Sequence, residues 1–438
     1  MDFNEIITQI TSFFANNPSI WIYLIIPFTA AIIGWGTNVL ALKMTFYPVD
    51  FVGIEAENNQ WFGIKTVGWE GMHKIGWQGI IPSKAGVMAS KAVDMMLDKL
   101  IDLQDQFAQI DPDIVSEEMT PHLEALSRQI IDDALNQEMP LVWNNIPKRR
   151  KEKIYQDAAE EFPHAIKVIM EDIKDHIEEL FDVKTMVVQE LTSNKKLLNY
   201  IFLKVGRKEF KFIEKSGFYF GFFFGIIQMI LSLLLPNWNI VLLPLGGIVI
   251  GYLTNFLALR LIFQPTNPIK FGPIHIQGLF IKRQKEVAKE YANIVASQIL
   301  NTPNIFQAIL KGVGAEQLSE IVQRHTKEAV DKTAGFSRSL IQLTSGTKTY
   351  ENIKNIATTR FLEVIPDNIK YIFDYAEEAL DIENTICDRM GNLPPEDFVG
   401  FLRPVFQEDE MKLIMVGAAL GGMAGVIQLI AITLHSWL

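Results

Sequence analysis

Four stretches of this chain, residues 20–42, 216–235, 240–259 and 413–434, run for about 20 positions each without a charged residue. About 20 apolar residues at 1.5 Å per residue cross a hydrocarbon layer of about 30 Å, so the four runs predict four transmembrane helices. Apolar residues make up 49% of the chain and charged residues 21%, but the two are segregated. The runs hold the apolar share and the rest is strongly charged. A cleaved signal peptide is a poor account of the first run, which is long and follows an acidic segment, MDFNE, where a basic one is needed.

Lysine and arginine set the expected orientation. Lys43 follows the first run, Lys204, Arg207, Lys208, Lys211 and Lys215 precede the second, Arg260 follows the third, and Lys412 precedes the fourth. The segment between the second and third runs carries none. The positive-inside rule then places the two long charged regions in the cytoplasm and both termini outward, a bacterial inner-membrane layout.

The runs are related. GWGTNVLALK at 34–43 returns as GYLTNFLALR at 251–260, and Pro27 to Pro48 aligns with Pro244 to Pro265 without a gap. Gly217, Gly221, Gly225 and Gln228 match Gly417, Gly421, Gly425 and Gln428, 200 residues on. More loosely, Pro163, Ile166, Lys167 and Ile169 match Pro366, Ile369, Lys370 and Ile372. The chain reads as a tandem duplication whose halves start and end on the same side, a parallel repeat about an axis along the membrane normal. A shorter repeat lies in the first half, where Trp61, Trp69 and Trp77 are eight apart, each followed two residues later by glycine. Glycine and tryptophan at an even period suit strands or turns, and tryptophan beside a span suits the lipid interface. The expected connectors are therefore hairpin-like and interfacial.

The charged regions carry helical stripes. Ile166, Ile169, Met170, Ile173, Ile177 and Leu180 share one face, as do Ile369, Ile372, Phe373, Ala376 and Leu380, and Val93, Met96, Leu97, Leu100 and Ile101. The expected fold is mainly α: a four-span bundle from a parallel repeat, with one cytoplasmic all-α domain per half, compact or drawn out as a helical arm. The expected boundaries are a tail at 1–19, spans at 20–46, 213–235, 240–264 and 411–438, connectors at 47–83 and 265–282, and helical domains at 84–212 and 283–410.

Within the spans, Gly34 and Asn38, Gly251 and Asn255, and the triads Gly217, Gly221, Gly225 and Gly417, Gly421, Gly425 recur every four residues. Small residues at that spacing let helix backbones approach closely in lipid. Gln228 and Gln428 end the same faces. The bland account is that the amides hydrogen-bond across the bundle, about 0.6–2 kcal/mol each. The sharper account has Thr37, Asn38, Thr254 and Asn255 lining a polar site, with Lys43 and Arg260 holding one anion or lipid phosphate between them. Snorkelling explains those two cations as well. Lys84, Lys282 and Arg283 follow the connectors, where each cation adds about 1 kcal/mol of attraction to anionic headgroups.

The paired GxxTNxLAL(K/R) segments, with connectors ending near G(I/L)xxx(K/R), resemble the YheB-like family of uncharacterised bacterial membrane proteins. The likeness spans both halves. Gly79, Ile81, Pro82 and Lys84 fit the connector's usual ending, whereas Ile281 stands where proline is expected. The resemblance implies architecture and location and carries no chemistry with it.

Catalysis is not expected. The chain holds no GxSxG elbow, HExxH helix, P-loop or dinucleotide fingerprint. Its seven histidines are dispersed and its single cysteine, Cys387, reads as a packed helix residue. No metal or cofactor is expected, and a net charge of −11 argues against nucleic acid. Two functions stand. One is a membrane scaffold that engages anionic lipid headgroups and offers its helical domains to a partner or to copies of itself. The other is an oligomeric transporter or channel for an anion or lipid, with Lys43 and Arg260 as counter-charges.

Overall fold

Helices longer than 24 residues dominate a computed structural model that describes residues 20–435, apart from 56–59, 62–63, 66–73, 272–273, 336–337, 339–341, 343–345 and 408–409. The expected outward tail lies outside these residues. The chain divides into two units, one formed by Met1–Ala89, Leu191–Glu290 and Met390–Leu438, the other by Ser90–Glu190 and Tyr291–Arg389.

The first unit contains four helices long and apolar enough to cross a membrane. They are Ile20–Phe46, Arg207–Leu234, Asn239–Phe263 and Glu410–His435, the first to fourth spans below. The first packs along the second and the third along the fourth; second meets third, and first meets fourth and third. Their outer faces carry large apolar side chains such as Phe28, Ile32, Phe223, Ile248 and Ile427, all exposed, while Gly217, Gly221, Thr254 and Asn255 are buried. A protein in water does the opposite, because hiding large apolar surface from water drives its folding. In lipid, close backbone packing takes that role and small residues move inside.

Both connectors contain antiparallel strand pairs. β1 (Val52–Glu55) pairs antiparallel with β4 (Lys74–Trp77), Val52 opposite Trp77. Between them β2 (Gln60–Trp61) pairs with β3 (Ile64–Lys65). In the second half β5 (Ile269–Phe271) pairs with β6 (Ile274–Ile276). Both connectors are tied off alike. Gly79 N–H donates to Pro48 O (2.8 Å) and Gly278 N–H to Pro265 O (3.0 Å). The Gln78 amide donates to Val49 O (2.8 Å), and that of Gln277 to Thr266 O (3.1 Å).

The second unit corrects one expectation. Instead of one helical domain per half, a single unit draws on both. Its long helices are Pro112–Glu138, Lys148–Asp175, Ala315–Ala334 and Thr347–Asn368. Each packs against two others in a closed cycle, and two of the four contacts join the halves: Lys148–Asp175 with Ala315–Ala334, and Pro112–Glu138 with Thr347–Asn368. Ion pairs cross both junctions, Lys332–Glu161 at 2.8 Å and Arg360–Asp133 at 3.3 Å. The apolar stripe containing Ile166, Ile169 and Met170 is buried as expected. A stripe records that a face is buried and is silent about which half covers it. The expected domain boundaries shift accordingly, since residues 84–89 and 191–212 belong with the spans.

The two hairpins of this unit share one lock. The Tyr155 hydroxyl donates to Asp132 at 2.6 Å and the Tyr350 hydroxyl to Asp331 at 2.7 Å. Burial, then the adjacent carboxylate, pushes the Tyr155 phenol up to about 12 and the Tyr350 phenol further still.

Candidate functional site

The repeated span motif is where sequence reasoning placed a site, and the amide nitrogens of both its asparagines donate to a neighbouring span. The Asn38 Nδ2 donates to the backbone carbonyl of Ile213 on the second span at 2.7 Å, and the Asn255 Nδ2 to that of Leu413 on the fourth at 3.1 Å. Each asparagine supplies a donor to a carbonyl in the first turns of a span. Thr37 and Thr254 turn back on their own helices, bonding Gly34 O (3.1 Å) and Gly251 O (3.3 Å). All four residues are buried, and the two asparagines tie one span to another.

The glycines explain how close those helices come. A Cβ on Gly34 would collide with the carbonyl oxygen of Gly217, and one on Gly251 with that of Gly417. Further along, Gly221 faces Ala30 and Gly225 faces Pro27, while Gly421 faces Gly247 and Gly425 faces Pro244. Gln228 donates to Leu243 O at 3.2 Å, and Gln428 to the Thr29 hydroxyl.

The cations separate. Lys43 is exposed. Arg260 bonds Oε1 of Gln264, the residue just past its own helix, at 3.1 Å and lies over the Phe256 ring on that helix; among the described residues no contact joins it to Lys43. Lys84 is half-buried after the short helix Ile80–Ser83, and Lys282 ends the helix Leu279–Lys282, exposed. Arg283 is committed elsewhere. Its Nη1 meets Glu209 Oε1 at 2.5 Å, and Glu209 is 1% exposed. Its Nε meets Glu286 Oε2 at 2.8 Å, and Lys208 closes on the same carboxylate at 2.5 Å. Those two cations, Arg283 first, hold the Glu286 carboxyl down at about 2. The bond from Glu286, and then that from Glu209, raises the Arg283 guanidinium.

Of the tryptophans, Trp77 is half-buried against Ala41, Ile80 and Leu413, so its ring packs on span ends. Trp61 contributes its backbone to β2, and Trp69 lies outside the described residues.

Sequence reasoning missed one feature. Arg260 opens into a cleft of about 270 Å³ lined by Phe256, Leu259, Phe263, Gln264, Arg403 and Glu410. Two guanidiniums and one carboxylate line a partly apolar wall there. The signal in the sequence was Arg403 itself, a cation on the helix leading to the fourth span. Among the described residues no group of three His, Cys, Asp or Glu side chains is placed to hold a metal ion.

Fold and site together describe a helical protein with four helices able to cross a membrane, joined through small and amide-bearing faces. Its homologues are bacterial UPF0754 membrane proteins. One from Thermosynechococcus vestitus is 29% identical over 157 residues, 35% of this chain and 36% of the relative. Another from Shouchella clausii is 35% identical over 71 residues, 16% of this chain and 19% of the relative. A third from Staphylococcus aureus is 28% identical over 109 residues, 24% and 28% of the two chains. The chain thus spans about a third or less of the length of these relatives. No protein-family model and no solved structure matches it.

Proposed function

We propose that the protein is a multi-pass scaffold of a bacterial inner membrane, a tandem duplication of the YheB-like type, without catalytic activity. Its long charged segments lie in the cytoplasm and form one helical unit that binds a partner protein or a second copy of the chain. Its cations at the span ends engage anionic lipid headgroups, and nucleic acid is not a partner.

The observation that carries this reading is the backbone contact of Gly34 with Gly217 and of Gly251 with Gly417. Each span pair is closed to the width of a peptide, which suits an anchor and leaves no passage within the pair. The duplication is supported by matched partners: Asn38 with Ile213 and Asn255 with Leu413, at positions 217 and 200 residues apart. One observation favours the transporter reading instead. Gln228 Oε1, Ser232 Oγ, Asn239 Oδ1 and Asn38 Oδ1 are buried without a hydrogen-bond partner, and polar groups inside a membrane bundle often mark a path.

Anion flux into proteoliposomes decides between them. The scaffold predicts flux equal to that of protein-free vesicles. Protein-dependent flux that falls on substituting Lys43 or Arg260 would replace it with the transporter.

A further inference from the structure

The two halves differ in chemistry at the charged end of their spans. Positions 203 and 210 correspond to 403 and 410, by the offset of 200 that also relates Gly217 to Gly417. In the first half those positions are Leu203 and Phe210. Phe210 is buried, and its ring stands edge-on to that of Phe46, centroids 5.2 Å apart. An aromatic pair fills the space beside the end of the first span. In the second half the counterparts are Arg403 and Glu410, and Phe263, the counterpart of Phe46, stacks on Phe280 at 5.5 Å instead. What the first half plugs, the second half leaves as the cleft of about 270 Å³.

The lining is specific in its chemistry. Arg260 and Arg403 bring two planar guanidiniums, the group suited to forked recognition of phosphate oxygens. Among the described residues neither Arg403 nor Glu410 forms an ion pair, so these charges are not spent on each other. Phe256, Leu259 and Phe263 give one wall an apolar surface. Glu410 shapes the preference. A carboxylate beside two arginines leaves a net charge of +1, which suits a singly charged phosphodiester, and it offers an acceptor to a cationic donor on the same ligand.

We propose that this cleft binds a phosphodiester amphiphile carrying an ammonium group, of the phosphatidylethanolamine class, with Arg260 and Arg403 on the phosphate and Glu410 on the ammonium. It rests on the headgroup-engaging scaffold described above and names the headgroup. In the first half the positions matching Arg403 and Glu410 are Leu203 and Phe210, which offer no charge to such a ligand.

Native mass spectrometry of the full chain in detergent, titrated with phosphatidylethanolamine and phosphatidylglycerol, tests it. Wild type binds one phosphatidylethanolamine in preference to phosphatidylglycerol. Arg260→Gln and Arg403→Gln each weaken that binding at least about tenfold, a loss of about 1.4 kcal/mol. Glu410→Gln abolishes or reverses the preference. Lys311→Gln, exposed on the second unit, stays within about twofold of wild type. Thermal unfolding of each variant separates lost binding from lost fold, and Arg403→Lys, which keeps the charge, retains part of the affinity. Binding unchanged in both arginine variants would overturn the cleft and leave the scaffold standing. Displacement of the lipid by an equal concentration of glycerophosphoethanolamine would overturn the lipid and make the ligand a soluble phosphodiester. A chain recovered apart from membranes would overturn the scaffold itself.

Discussion

The side-chain amide of Asn38 reaches the carbonyl of Ile213 at 2.7 Å across 175 residues of chain. An amide in a span costs free energy unless it finds such a partner, and here the partner is a backbone oxygen near the start of the second span. Asn38→Ala should therefore destabilise the bundle by about 1 kcal/mol, read from reversible unfolding in mixed micelles. Asn255→Ala, which frees Leu413 O, should cost a similar amount. The double variant should come close to the sum, since the two bonds share no partner.

The glycine contacts predict a sharper asymmetry. Gly34→Ala drives a methyl into the Gly217 carbonyl and should cost about 1–3 kcal/mol as overpacking does. Two residues on, a Cβ at Gly36 meets nothing within 4 Å, so Gly36→Ala should fall within about 0.5 kcal/mol of wild type. The same unfolding assay compares both. Equal losses would mean that the helices do not pack on the Gly34 face.

The pair Glu209–Arg283 predicts a stability role for a cation that sequence reasoning gave to lipid. Arg283→Gln strands a carboxylate that is 1% exposed, and breaking a buried pair costs about 3 kcal/mol. Restoring neutrality with Glu209→Gln in the same chain should recover part of the loss. Headgroup binding should survive in the double variant.

The helical unit carries a pH dependence at Asp172. Its carboxylate accepts from Arg324, from His325 Nε2 at 2.8 Å and from His176 Nδ1 at 3.0 Å, with Glu328 on the far side of His325 at 3.6 Å. Burial alone would raise the Asp172 pKa, but the bonds from His325 and Arg324 outweigh it and leave it below 3.8. Its contribution is therefore present above about pH 4 and lost as pH falls through the lowered value. The His176 pKa is raised above 6.5 by its bond to the Asp172 carbonyl. Its contribution is full below pH 6.5 and fades as pH rises through the raised value. Melting of the full chain should drop slightly from pH 6 to pH 8, and His176→Gln should flatten that slope.

Much of this was legible in the sequence, for reasons that differ by region. The spans showed because length and absence of charge are local properties, and the packing faces showed because Gly217, Gly221 and Gly225 repeat on one side of a helix. The connectors showed through spacing. What stayed hidden depends on distant partners. The stripe at Ile166, Ile169 and Met170 fixes a buried face, yet the Lys332–Glu161 and Arg360–Asp133 bonds that join the halves have no local signature. Arg283 reads as a surface cation until Glu209, 74 residues away, is placed beside it. The cleft at Arg260 needed Arg403, brought near from another helix.

The proposed function requires a four-span protein whose two charged segments lie together on the cytoplasmic side. Single cysteines at exposed Arg149, Lys348 and Asn237, introduced beside Cys387→Ser, test it with a membrane-impermeant maleimide in intact and permeabilised cells. The account predicts labelling at position 237, between the second and third spans, in intact cells, and labelling at 149 and 348 only after permeabilisation. Positions 149 and 348 on opposite sides, or both open to the outside, would contradict it.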